Sequence, residues 1–151
     1  MAIRVRRPKD KDDLLDRIVD GDGNAFGARY EALTFCAALG YARGKRVPFA
    51  ETGDPIRWEQ FQSVGGAALS SMLAVASSDD PEIVAPERIE DRIRIFEEYA
   101  NGGLDVLAGE LEKRPKMTPR EVVLQLVLDA QQPDDDDEKL PLDDIAEGLS
   151  A

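Results

Sequence analysis

Enzymatic chemistry needs side chains that move protons, attack bonds or hold metals, and these 151 residues offer few of them. Histidine is absent, which removes Ser-His-Asp and Cys-His catalysis along with the commonest metal ligand. The lone cysteine, Cys36, can form neither an internal disulfide nor a four-ligand zinc site. It lies among Leu33, Phe35, Ala37 and Leu39, so it reads as a small buried hydrophobe in a reducing compartment. Gly65-Gly66 and Gly102-Gly103 are isolated pairs without the spacing of a phosphate-binding loop. Glu97 and Glu98 are adjacent on a helix and point about 100° apart, so they cannot share one site. Asp20, Asp22, Asn24 and Glu31 follow the spacing of a calcium loop between helices. Ala25 stands where that loop needs glycine, and Gly27 where it needs an apolar residue, so a polar helix-to-helix turn is the simpler reading. The expectation is no catalytic residue, no metal and no cofactor.

The residues left to act do so by charge. The net charge is -12, but it is polarised: residues 1–50 sum to +3, residues 51–133 to -8 and residues 134–151 to -7. This pattern suggests a basic arm and an acidic tail. Ile3-Arg4-Val5-Arg6-Arg7 alternates apolar and basic residues as a short strand does, and Pro8 ends it. The order of basic strand, helix, turn and helix over 1–46 resembles a ribbon-helix-helix module. In that module two strands pair across a homodimer and enter the DNA major groove. Ile3 and Val5 would then face the dimer core and Arg4 and Arg6 the bases or phosphates, with Arg7, Lys9, Lys45 and Arg46 on phosphates. The turn at 20–27 is long for such a module. The other reading is a solvated basic edge strand in a monomer.

The elements that must position these residues are mainly helical. After the strand, the spacing predicts a helix over 9–20 capped by Asp10, with Leu14, Leu15, Ile18 and Val19 on one side. A second helix runs from 28 to 42, and 47–55 is a connector. A short helix over 56–63 carries Ile56, Trp58 and Phe61. The next, over 67–78, has Leu69, Met72, Leu73 and Ala76 at helical spacing. A strong helix over 87–100 carries Ile89, Ile93, Phe96 and Ala100. Asn101-Gly102-Gly103 is expected to break it, and Leu104–Lys113 to resume. Thr118-Pro119-Arg120-Glu121 opens the last helix with a capping box, and Val123, Leu124, Val127 and Leu128 form its buried face.

The fold class is therefore mainly α: a short N-terminal strand and one compact helical domain over 1–132. Residues 133–151 form an acidic tail expected to be disordered. In it, Leu142, Ile145 and Leu149 keep a helical spacing that would suit a partner groove. No apolar run reaches the roughly 20 residues that cross a bilayer, and the N-terminus lacks the apolar core of a signal peptide, so a cytoplasmic protein is expected.

One stretch carries a resemblance. Ile95-Phe96-Glu97-Glu98-Tyr99-Ala100-Asn101-Gly102-Gly103-Leu104, preceded by Ile93, resembles the signature of the DNA sulfur-modification (Dnd) system-associated protein 4 family. The runs Tyr30–Gly40, Gly44–Pro48, Pro55–Trp58 and Phe61–Ser63 are similar to that family in order and spacing. The resemblance covers about residues 5–130 and leaves the acidic tail outside. It implies a non-enzymatic accessory protein of a DNA phosphorothioation-linked restriction-modification system for antiviral defence. Its partners would be the other proteins of that system and duplex DNA. The family offers no catalytic residue to carry over. Phe96, Glu97, Glu98, Tyr99, Asn101, Gly102 and Gly103 read as structural, with Phe96 and Tyr99 packing and Asn101-Gly102-Gly103 turning the chain. A ribbon-helix-helix transcription regulator is the alternative.

Overall fold

The structure is a computed structural model that describes residues 3–132. The expected disorder of the acidic tail and its apolar spacing lie outside the described residues. The elements are β1 (Arg4–Val5), α1 (Asp12–Val19), α2 (Arg29–Ala42), β2 (Ile56–Arg57), α3 (Trp58–Gln62), α4 (Gly66–Ser77), α5 (Ile89–Lys113) and α6 (Pro119–Gln131). Single 3-10 turns at Lys9–Lys11, Pro81–Val84 and Pro86–Arg88 link them. The mainly helical class expected from the spacing is what the chain forms.

The organising element is α5, 25 residues long. Ile93, Phe96, Ala100, Leu104, Leu107 and Leu111 line its buried face at steps of three and four. That stripe passes through Asn101-Gly102-Gly103 in register, and so does the helix. The expected break is therefore corrected. The two glycines are helical because main chain from elsewhere presses on them. A Cβ on Gly103 would overlap the Cys36 carbonyl, one on Gly102 the Lys45 carbonyl, and one on Gly40 of α2 the Tyr99 carbonyl. Glycine inside a helix costs about 1 kcal/mol relative to alanine. Here that cost is offset by letting α2 and α5, the most extensively packed pair, cross at backbone contact. Asn101 is used as well: its amide nitrogen donates to the Val47 carbonyl at 3.0 Å and its oxygen accepts from Lys11 Nζ at 3.0 Å. Gly44 ends α2 with φ +64, a left-handed conformation that glycine adopts without strain.

The core above this crossing is aromatic. Phe61 and Phe96 meet edge-on at 5.5 Å, and Trp58 stacks on Phe61 at 5.9 Å and meets Phe96 edge-on at 6.1 Å. Residues 56–63, read as one short helix, instead begin as β2 and turn into α3 at Trp58. β2 pairs antiparallel with β1, Arg4 opposite Arg57 and Val5 opposite Ile56. The pairing extends beyond the strands, with Trp58 N–H donating to Ile3 O, Gly53 N–H to Arg7 O and Lys9 N–H to Glu51 O, each at 3.0 Å.

This ladder corrects the ribbon-helix-helix expectation at its first step. The strand spends its hydrogen bonds on residues 51–58 of its own chain. Val5 is 1% exposed in the chain's own core and does not face a second copy. Three further corrections concern one helix cap and two helix faces. Asp10 falls in the 3-10 turn and does not cap α1, whose preceding residue is Lys11. The capping box of α6 forms as expected, Glu121 N–H donating to Thr118 Oγ1 at 3.2 Å and Thr118 N–H to Glu121 Oε2 at 3.0 Å. Its buried residues, however, are Pro119, Val122 and Leu126, while Leu124, Val127 and Leu128 are exposed. On α4, Met72 likewise faces outward at 67% exposure, with Leu73 and Ala74 inward. No helix of the described residues is long and apolar enough to cross a membrane.

Candidate functional site

The signature on α5 acts as a saddle for two basic segments. Glu97, 3% exposed, receives the Arg6 guanidinium at 3.0 Å and also the Arg6 backbone N–H. Glu98 receives Arg46 at 2.7 Å, and Arg46 also lies over the Tyr99 ring at 5.7 Å. Asp105, about two turns on, takes Lys11 at 2.9 Å and Lys45 at 3.9 Å. The N-terminal arm and the 45–47 loop are thereby strapped to one helix. The signature residues do not turn the chain, because the helix runs through them.

Burial pushes the Glu97 carboxyl above the ordinary carboxylate range, and its bonds to Arg6 oppose this less strongly. Arg6 is held further above its usual value by the same carboxylate, so it stays charged. The folded state thus binds the Glu97 proton more tightly than the unfolded chain does. Glu97's contribution to stability is fully present below the unfolded value and is lost as pH rises through the raised folded one. In Glu97→Gln, the pH dependence of the urea midpoint in the interval above the ordinary glutamate range should flatten. An unchanged slope in that interval would show that Glu97 does not titrate differently on folding.

The six cations singled out from sequence are split by the fold. Arg6 and Arg46 are committed to Glu97 and Glu98, and Arg7 donates to the Asp54 carbonyl at 2.8 Å beside Asp12 at 3.6 Å. Lys45 keeps only its long pair with Asp105. Arg4 and Lys9 are exposed and form no ion pair among the described residues. Two arginines that the sequence reading missed join Arg4. Arg57 stands directly opposite it in the ladder, so both side chains leave the same face of the ribbon. Arg94 of α5 lines a cleft with Arg4, Arg6, Ile3 and Ile93. Arg57 and Arg94 are also exposed and unpaired among the described residues. Like charges directly opposed on a ribbon are destabilising unless an anion lies between them.

The other chemical candidates have structural duties. Burial pushes the Cys36 thiol up to about 12, so it stays protonated and inert. At the calcium-like turn, Asn24 donates to the Val19 and Phe26 carbonyls at 3.0 Å, and Asp20 pairs with Arg29 at 2.9 Å. Glu31 accepts from Gly27 N–H at 3.1 Å. The Arg120 N–H donates to Gly23 O at 3.0 Å, tying this turn to α6. Among the described residues no cluster of three or more His, Cys, Asp or Glu side chains is placed to hold a metal.

Fold and site together define a small helical protein whose distinctive residues hold a basic arm and loop against one long helix. The chain belongs to the DNA sulphur modification system-associated protein 4 family, whose sequence profile matches residues 4–145. Membership associates it with a DNA sulphur modification system. The match runs through the acidic stretch, so the expectation that the tail stands outside the resemblance is corrected. Searches of curated proteins and of solved structures gave no significant match.

Proposed function

We propose that this protein is a non-enzymatic accessory subunit of a phosphorothioation-linked restriction-modification system, active in the cytoplasm against incoming phage DNA. It works by contact with the other proteins of the system and with duplex DNA. The observation that carries the DNA part is the face formed by Arg4, Arg57 and Arg94. Arg57 stands opposite Arg4 across the ribbon, Arg94 lines a cleft with Arg4, and none of the three has an ion-pair partner among the described residues. Arginine forks suit phosphate oxygens. Three such contacts are enough for binding that is steeply salt-dependent yet independent of sequence.

Fluorescence anisotropy on a labelled duplex at low salt tests this. Binding should weaken as salt rises, with a logarithmic slope of about -3 for three phosphate contacts. Arg4→Ala with Arg57→Ala and Arg94→Ala should reduce affinity at least about tenfold and flatten that slope. Removing residues 134–151, which carry a charge of -7, should strengthen binding by relieving competition with phosphate. Failure to bind at low salt, with or without those residues, would end the DNA reading. The protein-contact reading has its own test: the chain should co-purify with other proteins of the system from its native host.

A further inference from the structure

The cleft beside the arginine face has a composition that ordinary phosphate does not require. It encloses about 270 Å³. Arg4 and Arg94 supply cations at its walls, and Ile3 supplies apolar surface, with Ile93 buried beneath. Ile3 is 37% exposed, an apolar side chain left at the surface next to unpaired charge. Arg6 and Glu97, which also line the cleft, neutralise one another. Glu90 stands at the cleft without an ion pair among the described residues and lowers its net charge.

Cation beside exposed hydrocarbon suits a soft, weakly hydrated anion. An ordinary phosphodiester presents two strongly hydrated non-bridging oxygens, and pressing either onto isoleucine costs desolvation without a compensating hydrogen bond. A phosphorothioate diester keeps the single negative charge for the arginines. It exchanges one oxygen for a larger, more polarisable sulfur that gives up less hydration on apolar surface. We propose that this cleft reads the sulfur of a phosphorothioate diester in duplex DNA, Ile3 meeting the sulfur while Arg4 and Arg94 hold the charge. This inference rests on the DNA-contact reading above and adds to it the chemical class of the ligand.

The test compares three duplexes of one sequence by anisotropy at fixed salt: unmodified, with a single Rp phosphorothioate, and with a single Sp phosphorothioate. One diastereomer should bind about fourfold tighter than the other two duplexes, on the scale of one buried methylene group. Ile3→Ser should bring that ratio close to one, the ratio among the three duplexes being the readout and not the affinity for any one of them. Should Ile3→Ser melt below the assay temperature, Ile3→Ala serves in its place with a partial loss of the ratio. Glu90→Gln should raise affinity for all three duplexes and leave the ratio alone. Equal affinities, or a gain shared equally by both diastereomers, would overturn the sulfur reading while leaving DNA contact standing. Absence of binding to all three would overturn both.

Discussion

Gly103→Ala should destabilise the protein by about 3 kcal/mol or more, at the upper end of what overpacking costs, because the added methyl would meet the main chain of α2 and no flexible side chain that can yield. The nearest atoms around the new Cβ are the carbonyl oxygen, carbonyl carbon and Cα of Cys36. Relief therefore requires the two helices to separate, and with them the packing of Leu33, Ala37, Ala100 and Leu104, all buried at or near the crossing. Against a total stability of about 5–15 kcal/mol, such a loss leaves a marginal fold. The melting temperature should fall by roughly 10 °C at this chain length. Gly109 supplies the control. It lies in the same helix, but nothing approaches within 4 Å of a Cβ built there. Gly109→Ala should raise stability by about 0.5–1 kcal/mol through helix propensity and the reduced freedom of the unfolded chain. Parallel thermal melts of the two variants decide the matter. Equal, small effects would mean that α2 and α5 do not meet at backbone contact.

Phe96→Ala should cost about 3–5 kcal/mol. Phe96 is fully buried and touches Trp58 and Phe61 in edge-on geometry, so truncation removes both the transferred area and two aromatic contacts. Trp58 is the only tryptophan, which makes its fluorescence a direct report on this cluster during denaturant unfolding. The consequence should reach the surface. Trp58 follows Arg57 without a break, so a loosened cluster releases the ribbon that sets Arg57 opposite Arg4. At a temperature where the variant remains folded, its duplex affinity should fall although no cation has been removed. Phe96→Leu, which keeps most of the volume, should lose less than about 1.5 kcal/mol. A Phe96→Ala protein as stable as the parent would show that the aromatic cluster does not hold this end of the fold.

Local signals in the sequence were enough wherever one element carried its own instructions. Thr118 and Glu121 announce the start of α6 because both halves of a capping box lie within one turn. The periodicity of α2 and α4 placed those helices to within about a residue of where they fold. Long-range partners were not legible. Asn-Gly-Gly looks like a helix end by propensity, and only the carbonyls of Cys36 and Lys45 explain why the helix passes through it. Even so, the stripe from Ile93 to Leu111 kept its phase across those residues, and that was the signal to weigh against composition. The buried face of α6 was displaced because Leu124, Val127 and Leu128, interspersed with Val122 and Leu126, are apolar but point to the surface, so hydrophobicity alone gave no preferred side. Of the basic residues, Arg4 could be found from the alternating strand. Arg57 and Arg94 could not, since their nearness to it depends on a two-residue ladder and on the placement of a helix far along the chain.

The crossing of α2 and α5 at Gly40 and Gly103, and the seat of the 45–46 loop on Gly102, bring peptide groups into direct contact. The angle and spacing of the crossing are consequently insulated from most changes in the residues around it. Outward positions of both helices other than Glu98 and Asp105, which hold the arm and loop, can be rewritten, to alter charge or to accept a different neighbour, without disturbing how the arm and loop are presented. For protein engineering, that makes the helix pair a rigid chassis with an editable exterior, provided the three glycines are left in place.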